Sequence, residues 1–375
     1  MIVLTNNGSE PITLTTLKIT YDSETAIAKE NQAKLVMNTA LMQAAENEVK
    51  LSLKPSPSAE RKLMITMGHS VSFESDLRLN YRVKLSELEG YDLDSAYLTV
   101  EKDVYLAKGE RDVETYVLYP ELTSDRMIFN LEGILSVEMG SELRATLHIR
   151  DLQNRSYTSA VDQYSILAYA KEAFSQCSYE EQPELYRLLI DTLNYGAAAQ
   201  TYFDRRTDSL VNAGLDAYQQ YTTRELAAEL TASKVVLENA NSGLVSKLGF
   251  SVSFADRTEL NAKLTLAEAA EITAVKVTDA EGNTVATLTE FTKLSDGKLQ
   301  VTYSGIKATQ MRQMFYFTAY AGEEIAGATY GYSVEAYARE AIAAGLPGLT
   351  DLARACMYYG DSAENYFTQR GGESK

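Results

Sequence analysis

Tyr164-Ser165-Ile166-Leu167-Ala168-Tyr169-Ala170-Lys171-Glu172-Ala173 returns later in the chain as Tyr332-Ser333-Val334-Glu335-Ala336-Tyr337-Ala338-Arg339-Glu340-Ala341. Working outward, three more landmarks recur in the same order. Downstream, Leu193-Asn194-Tyr195-Gly196-Ala197-Ala198-Ala199-Gln200-Thr201-Tyr202-Phe203 aligns with Met357-Tyr358-Tyr359-Gly360-Asp361-Ser362-Ala363-Glu364-Asn365-Tyr366-Phe367. Upstream, Phe129-Asn130-Leu131-Glu132-Gly133-Ile134 aligns with Val301-Thr302-Tyr303-Ser304-Gly305-Ile306, and Met139 with Met311. Further back, Ser70-Val71-Ser72-Phe73 with Leu79-Asn80 matches Ser251-Val252-Ser253-Phe254 with Leu260-Asn261. Four landmarks in one order, with short length changes between them, read as a tandem duplication.

Each copy reads as strands first and helices second. Leu77, Leu79, Tyr81 and Val83 alternate with polar residues, as do Ala145, Leu147 and Ile149, and Phe315, Phe317 and Ala319 take the same parity in the second copy. Asp279–Asn283 and Ser295–Lys298 carry the Asp, Asn and Gly residues that tolerate hairpin backbone angles. Strands in succession without intervening helices imply antiparallel pairing in a small sandwich. Then Leu185, Leu188, Leu189, Thr192, Tyr195, Ala199, Tyr202 and Phe203 fall on one helical stripe. Leu349, Leu352, Ala353, Cys356, Tyr359, Ala363, Tyr366 and Phe367 repeat it. A shorter helix from about Tyr164 and a turn around Cys177–Pro183 complete an αα-hairpin, with Gly345, Pro347 and Gly348 making the second turn.

The expected fold class is therefore α+β, a tandem repeat of an antiparallel Ig-like β-sandwich followed by an αα-hairpin. Module 1 spans 69–204 and module 2 spans 242–370, with a five-residue tail at 371–375. Between them 205–241 reads as a helical connector, from the amphipathic stretch Thr223–Leu237. Residues 54–68 read as an exposed linker, stiffened by Lys54-Pro55-Ser56-Pro57-Ser58. Residues 1–53, with a strand at Thr13–Tyr21 and an Ala/Met-rich stretch at Ala33–Ala45, read as the end of a truncated upstream β-rich domain.

Composition narrows the function. The chain has 375 residues, 35 Lys plus Arg against 52 Asp plus Glu, and a net charge of −17, which disfavours a nucleic-acid partner because phosphates are repelled. Met1-Ile2-Val3-Leu4-Thr5-Asn6-Asn7-Gly8 lacks the pattern of a signal peptide, and no apolar run of about 18 residues suggests membrane insertion. That leaves an intracellular protein or a piece of a longer secreted one. With 2 His and 2 Cys the inventory for metal or general-base chemistry is thin. His69 and His148 have no companion at ligand spacing, Cys356 lies on an apolar stripe, and Cys177 lies at a turn. No phosphate loop, dinucleotide pattern or Gly-x-Ser-x-Gly elbow occurs. Carboxylate pairs such as Asp92/Asp94 and Glu180/Glu181 are too common to be specific for glycosidase chemistry. Asp279–Asn283 has oxygens that could hold calcium but lacks EF-hand spacing, and it reads as a hairpin turn. No catalytic residue, metal ligand or cofactor is assigned.

The unusual enrichment is tyrosine, 25 residues with no Trp. Tyr164, Tyr169, Tyr195 and Tyr202 recur as Tyr332, Tyr337, Tyr359 and Tyr366, each copy ending in Phe203 or Phe367. Rings at stripe positions pack helices on the sheet with their hydroxyls at the edge. The functional alternative is a sugar-stacking platform, weakened by the absence of Trp. Gly196 and Gly360 stand inside helices, where Gly costs about 1 kcal/mol relative to Ala, and imply close approach of a neighbouring backbone.

Across roughly 69–370 the pattern Ser70-Val71-Ser72-Phe73…Leu79-Asn80-Tyr81, Tyr164-Ser165…Tyr169-Ala170 and the Asn194-Tyr195-Gly196-Ala197-Ala198-Ala199 helix resembles a module of long secreted multidomain proteins from gut Clostridia. The second copy departs from it at Tyr359-Gly360-Asp361-Ser362. The resemblance implies non-catalytic accessory architecture, with no functional residue to carry over, at the cell surface or outside the cell. The expected role is an accessory segment that spaces, displays or stabilises other domains, including in adhesion, with glycans or other surface proteins as partners. The alternatives are a carbohydrate-binding module using exposed tyrosines and a carboxylate-based glycoside hydrolase.

Overall fold

Leu79, Tyr81 and Val83 are fully buried while their neighbours Asn80 and Arg82 are half-buried, so the period-2 pattern marks a strand with one face on a core. The computed structural model describes residues 61–73, 77–106, 110–222, 230–254, 257–267 and 270–370. The expectations for residues 1–53, for Lys54–Ser58 and for the tail lie outside these. The described residues fall in one compact unit from Arg61 onward.

In the first half (61–222) the strands are β1 Arg61–Leu63, β2 Gly68–Ser72, β3 Arg78–Lys84, β4 Tyr91–Tyr105, β5 Arg111–Leu118, β6 Glu121–Leu122, β7 Arg126–Leu131, β8 Leu143–Asp151, β9 Ser156–Ser159 and β10 Asp162–Tyr164. Helices α1 Ile166–Gln176 and α2 Pro183–Tyr202 follow. In the second half (230–370) they are β11 Val235–Leu237, β12 Val245–Ser253, β13 Glu259–Leu266, β14 Ala274–Thr278, β15 Thr284–Leu288, β16 Thr292–Lys293, β17 Leu299–Tyr303, β18 Phe315–Ala321, β19 Glu324–Ile325 and β20 Thr329–Tyr332. Helices α3 Val334–Ala344 and α4 Leu349–Gln369 close it.

The first half pairs its strands in the orders β1-β9-β8-β4-β5 and β2-β3-β7-β6, and the second in the orders β11-β20-β18-β14-β15 and β12-β13-β17-β16. β10 adds to β8, and β19 to β18. Among the described residues the chain is thus mostly antiparallel sheet with four α-helices, an α+β arrangement. Inward faces meet through rings: Phe250 on β12 packs against Phe317 on β18, with centroids 5.2 Å apart. Tyr303 on β17 packs against Phe315 on β18 at 5.0 Å. Asp279–Asn283 closes the β14–β15 hairpin, the Asp279 carboxylate accepting from the Asn283 backbone N–H at 2.8 Å.

Each helical pair is started by the same device. Ser165 Oγ accepts from the Ala168 N–H, and Ser333 Oγ from the Ala336 N–H, both at 3.0 Å, satisfying one of the four orphan donors of a helix start. The Leu167 N–H donates to the Met139 carbonyl at 3.1 Å and the Glu335 N–H to the Met311 carbonyl at 3.0 Å, tying each first helix to the turn between β7 and β8 or between β17 and β18.

Two stretches differ from the sequence reading. Residues Arg61–Leu63, assigned to the 54–68 linker, form β1, which runs parallel to β9 and buries Leu63. A three-residue edge strand has no periodicity to reveal it; its partner lies far along the chain. Among its described residues the 205–241 segment has no α-helix: Asp216–Tyr221 is a short 3-10 helix, and Val235–Leu237 is the strand β11 beside β20. Val235 and Val236 are β-branched and find a free sheet edge there, which outweighs the helical pattern upstream. Residues 223–229 of that stretch lie outside the described residues.

Candidate functional site

The helical stripes do not end on their own sheets. α2 packs along α4, and Tyr195 stacks on Tyr359 with ring centroids 5.6 Å apart and planes within 9°. The two rings that align with each other in sequence therefore meet each other. Outward from this stack, Tyr202 at the end of α2 neighbours Tyr337 on α3, and Tyr366 at the end of α4 neighbours Tyr169 on α1. Arg370 lies over the Tyr366 ring at 4.6 Å. The contact is reciprocal, as in an isologous interface, where residue i of one side meets j of the other and j meets i. Tyr164 and Tyr332 instead pin strand to helix, each donating to a helix carboxylate, Glu172 at 2.5 Å and Glu340 at 3.2 Å. Phe203 and Phe367 turn their edges to Tyr202 and Tyr366. Tyr202 is 42% exposed, against the buried stripe expected, because it stands in the last turn of α2 beyond the sheets.

Gly196 and Gly360 let α2 and α4 sit on the turns that precede the helical pairs. A methyl at Gly196 would lie 2.9 Å from Met139 Sδ and Val211 Cγ1 and 3.0 Å from the Ser136 carbonyl. At Gly360 it would lie 2.7 Å from Met311 Cγ and 3.3 Å from the Ala308 carbonyl. Between these turns a recess of about 60 Å³ is lined by residues of both halves, including Ile134, Ser136, Tyr195, Ile306, Thr258 and Tyr359. Burial raises the Tyr195 hydroxyl well above its ordinary range, with Cys356 next in effect, while hydrogen bonds to Thr258 and Ser136 act against the rise. Burial also pushes the Cys356 thiol up to about 12, and its Sγ lies 3.9 Å from Met311 Sδ. A thiol held protonated in this way is a packing group rather than a nucleophile.

A second, open groove of about 450 Å³ follows the other edge of α2 and α4, with Asn194, Asn212, Gln219, Asp351, Arg354 and Tyr358 on its walls. Asn194 and Gln219 exchange two amide hydrogen bonds at 3.0 Å, and Asn212 donates to Asn194 at 2.9 Å. These amides fasten the 3-10 helix Asp216–Tyr221 onto α2.

The other sequence candidates are scattered. His69 Nε2 is 2.7 Å from Asp162 and its ring stacks on Tyr164 at 3.6 Å, whereas His148 stacks on Tyr97 at 4.6 Å on the other sheet. Cys177 caps α1 and donates to the Ala173 carbonyl at 3.2 Å. Asp92 and Asp94 are exposed on β4, and Glu180 and Glu181 stand in the turn before α2. Among the described residues no group of three or more His, Cys, Asp or Glu could hold a metal ion, and no helix is long and apolar enough to cross a membrane. Sequence reasoning missed the buried ion pair of Lys102 and Glu138, at 2.8 Å, which carries no local signal because 36 residues separate the partners.

Burial raises the hydroxyls of Tyr81, Tyr164, Tyr195 and Tyr332 above their unfolded value near 10. A pKa raised in the folded state contributes stability that is complete below pH 10 and is lost as pH rises through the folded value. We expect these rings to ionise together with loss of structure above pH 10. Tyrosinate absorbance at 295 nm reads this directly in a chain with no Trp. Smooth titration near pH 10 with circular dichroism unchanged would contradict it.

No family model matches the chain, and no curated protein matches it. Among solved structures, one described as "Biofilm associated protein - BSP domain" aligns with 74% of this chain at 11% identity and a TM-score of 0.20, too low to carry an argument. This chain spans 52% of that chain, about half its length.

Proposed function

We propose that the chain is a non-catalytic accessory segment that holds or spaces other domains at a bacterial surface, built as a tandem pair of Ig-like sandwiches with αα-hairpins. The carrying observation is the reciprocal tyrosine contact between α2 and α4. Six of the eight repeated tyrosines, Tyr195 with Tyr359, Tyr202 with Tyr337 and Tyr366 with Tyr169, meet across the two halves, which is what a rigid spacer requires. The smaller sheets correspond strand for strand, β2-β3-β7-β6 with β12-β13-β17-β16, as do β8-β4-β5 and β18-β14-β15 in the larger ones, and with the repeated Ser-capped helix starts they support the tandem reading; the edge strands β1 and β11 differ in partner and direction.

A second reading, carbohydrate binding, is favoured by the open groove, where Tyr358 and Arg354 stand beside side-chain amides. A glycan array and affinity electrophoresis on the whole chain separate the two. The spacer reading expects no glycan-dependent retardation. Retardation that disappears in Tyr358→Ala, with unfolding unchanged, would replace it with the binding reading.

A further inference from the structure

One place on the first half gathers positive charge in a chain whose net charge is −17. On the outer face of β3, Arg82 and Lys84 point the same way, and the β3–β7 register sets Lys84 directly opposite Arg126. Like charges directly opposite across a strand pair are destabilising, so this arrangement costs the sheet something. Gly68 is the β2 partner of Arg82 and adds no side chain, which leaves a recess of about 370 Å³ bordered by Gly68, His69, Arg82, Lys84, Glu87 and Arg126. Arg82 donates to the His69 carbonyl at 3.3 Å, and no described carboxylate forms an ion pair with Arg82 or Lys84. Arg126 leans on exposed Asp125 at 3.1 Å, and Glu87 accepts the Thr66 N–H at 2.8 Å. Burial, and then Arg126, lower the Arg82 guanidinium from its usual range, as expected for a partly buried cation beside a second one. In the second half the feature is absent: four residues after Asn261 stands Thr265, where Lys84 stands four after Asn80, and Lys263 faces Gln300.

We propose that this recess binds a compact dianionic oxyanion, a sulfate or phosphate group, either free or as an ester on a larger molecule. Three cations face one lining carboxylate, and with Asp125 beside Arg126 counted as well the recess keeps an excess of one positive charge; a planar guanidinium fork with a point-charge ammonium suits a tetrahedral oxyanion. The bound group would relieve the repulsion between Lys84 and Arg126 that the sheet otherwise carries. This proposal is independent of the spacer reading.

The test is calorimetric titration and thermal melting of the whole chain. The probes are sodium sulfate, sodium phosphate, a sulfated heparin-derived hexasaccharide and its desulfated counterpart, with sodium chloride at equal ionic strength as reference. Sulfate and phosphate stabilise folded proteins in general, so the deciding comparison is with the double variant Lys84→Thr/Arg126→Gln. The wild type is expected to bind at least one charged probe saturably and the variant at least tenfold more weakly. Saturation by the inorganic ions assigns a free ion, and saturation by the sulfated saccharide alone assigns an ester. In chloride the variant is expected to melt at or above the wild type. No saturable binding by any probe, equal binding by the variant, or a variant that melts well below wild type in chloride would each overturn the proposal; the last would mean that these cations hold the sheet together.

Discussion

Glu138→Ala is expected to destabilise the fold by about 3–5 kcal/mol, the usual result of breaking a buried ion pair by removing one partner. Lys102 and Glu138 have side chains only 5% and 2% exposed, and the Glu138 carboxylate also accepts the Leu135 N–H at 3.2 Å. Burial works against the Lys102 ammonium, but the hydrogen bond and charge of Glu138, followed by those of Tyr116, together offset it and leave the pKa raised to about 12. Without Glu138 the ammonium keeps half-exposed Glu114 at 3.3 Å and the hydrogen bond and ring face of Tyr116, with the ring centroid at 5.3 Å. Lys102→Met/Glu138→Leu should recover most of the loss, since an apolar pair removes both desolvation penalties. Urea unfolding of the wild type, Lys102→Met, Glu138→Leu and the double variant forms the cycle, with Glu138→Ala measured beside it. A loss below about 1 kcal/mol in Glu138→Ala, or simple additivity, would show that the pair is not coupled as the geometry requires.

Tyr195→Ala is expected to cost about 3–5 kcal/mol, the range for removing a buried ring. The change deletes the stack on Tyr359 and leaves the Ser136 and Thr258 hydroxyls without their shared partner. Tyr195→Phe isolates the second part and should cost about 1–2 kcal/mol. A cycle with Tyr359→Ala should return a coupling of about 0.5–1.5 kcal/mol for the ring pair. Because the stack lies between the halves, Tyr195→Ala should also split the urea transition into two. A single transition near the wild-type midpoint would mean that the halves do not depend on this contact.

Much of the fold was legible because the signals are local. Alternation at Leu79, Tyr81 and Val83 needs only seven residues to be read, and Ser165 and Ser333 announce their helices by caps that reach three residues ahead. At Gly196 and Gly360 the crowding comes first from the Met139, Val211 and Met311 side chains and only then from the Ser136 and Ala308 carbonyls, where the sequence reading expected a neighbouring backbone. What faces a stripe was not legible. Periodicity at Tyr195 and Tyr359 says that one side is buried, but a sheet and a partner helix ask for the same apolar face, and the sheet was the wrong choice. β1 and β11 escaped because three residues cannot display a period, and β11 was hidden beside a helical pattern. The cations at Arg82, Lys84 and Arg126 gave no warning either, since their proximity depends on strand register and not on spacing.

The seam has a consequence for how the chain is made. Tyr359 leaves the ribosome 164 residues after Tyr195, which at ~5–20 residues per second is roughly ten to thirty seconds. During that interval the first half can pair its strands and seat the Gly196 side of α2 on the Ser136–Met139 turn, yet the Tyr195 side of α2 has no partner to cover it. A nascent chain in this state presents the same self-matching surface to its neighbours on a polysome, so two chains at the same stage could pair α2 with α2. Synthesis of the second half must then outcompete the neighbouring chain, and slow translation between residues 222 and 359 is the condition under which mispaired chains would accumulate.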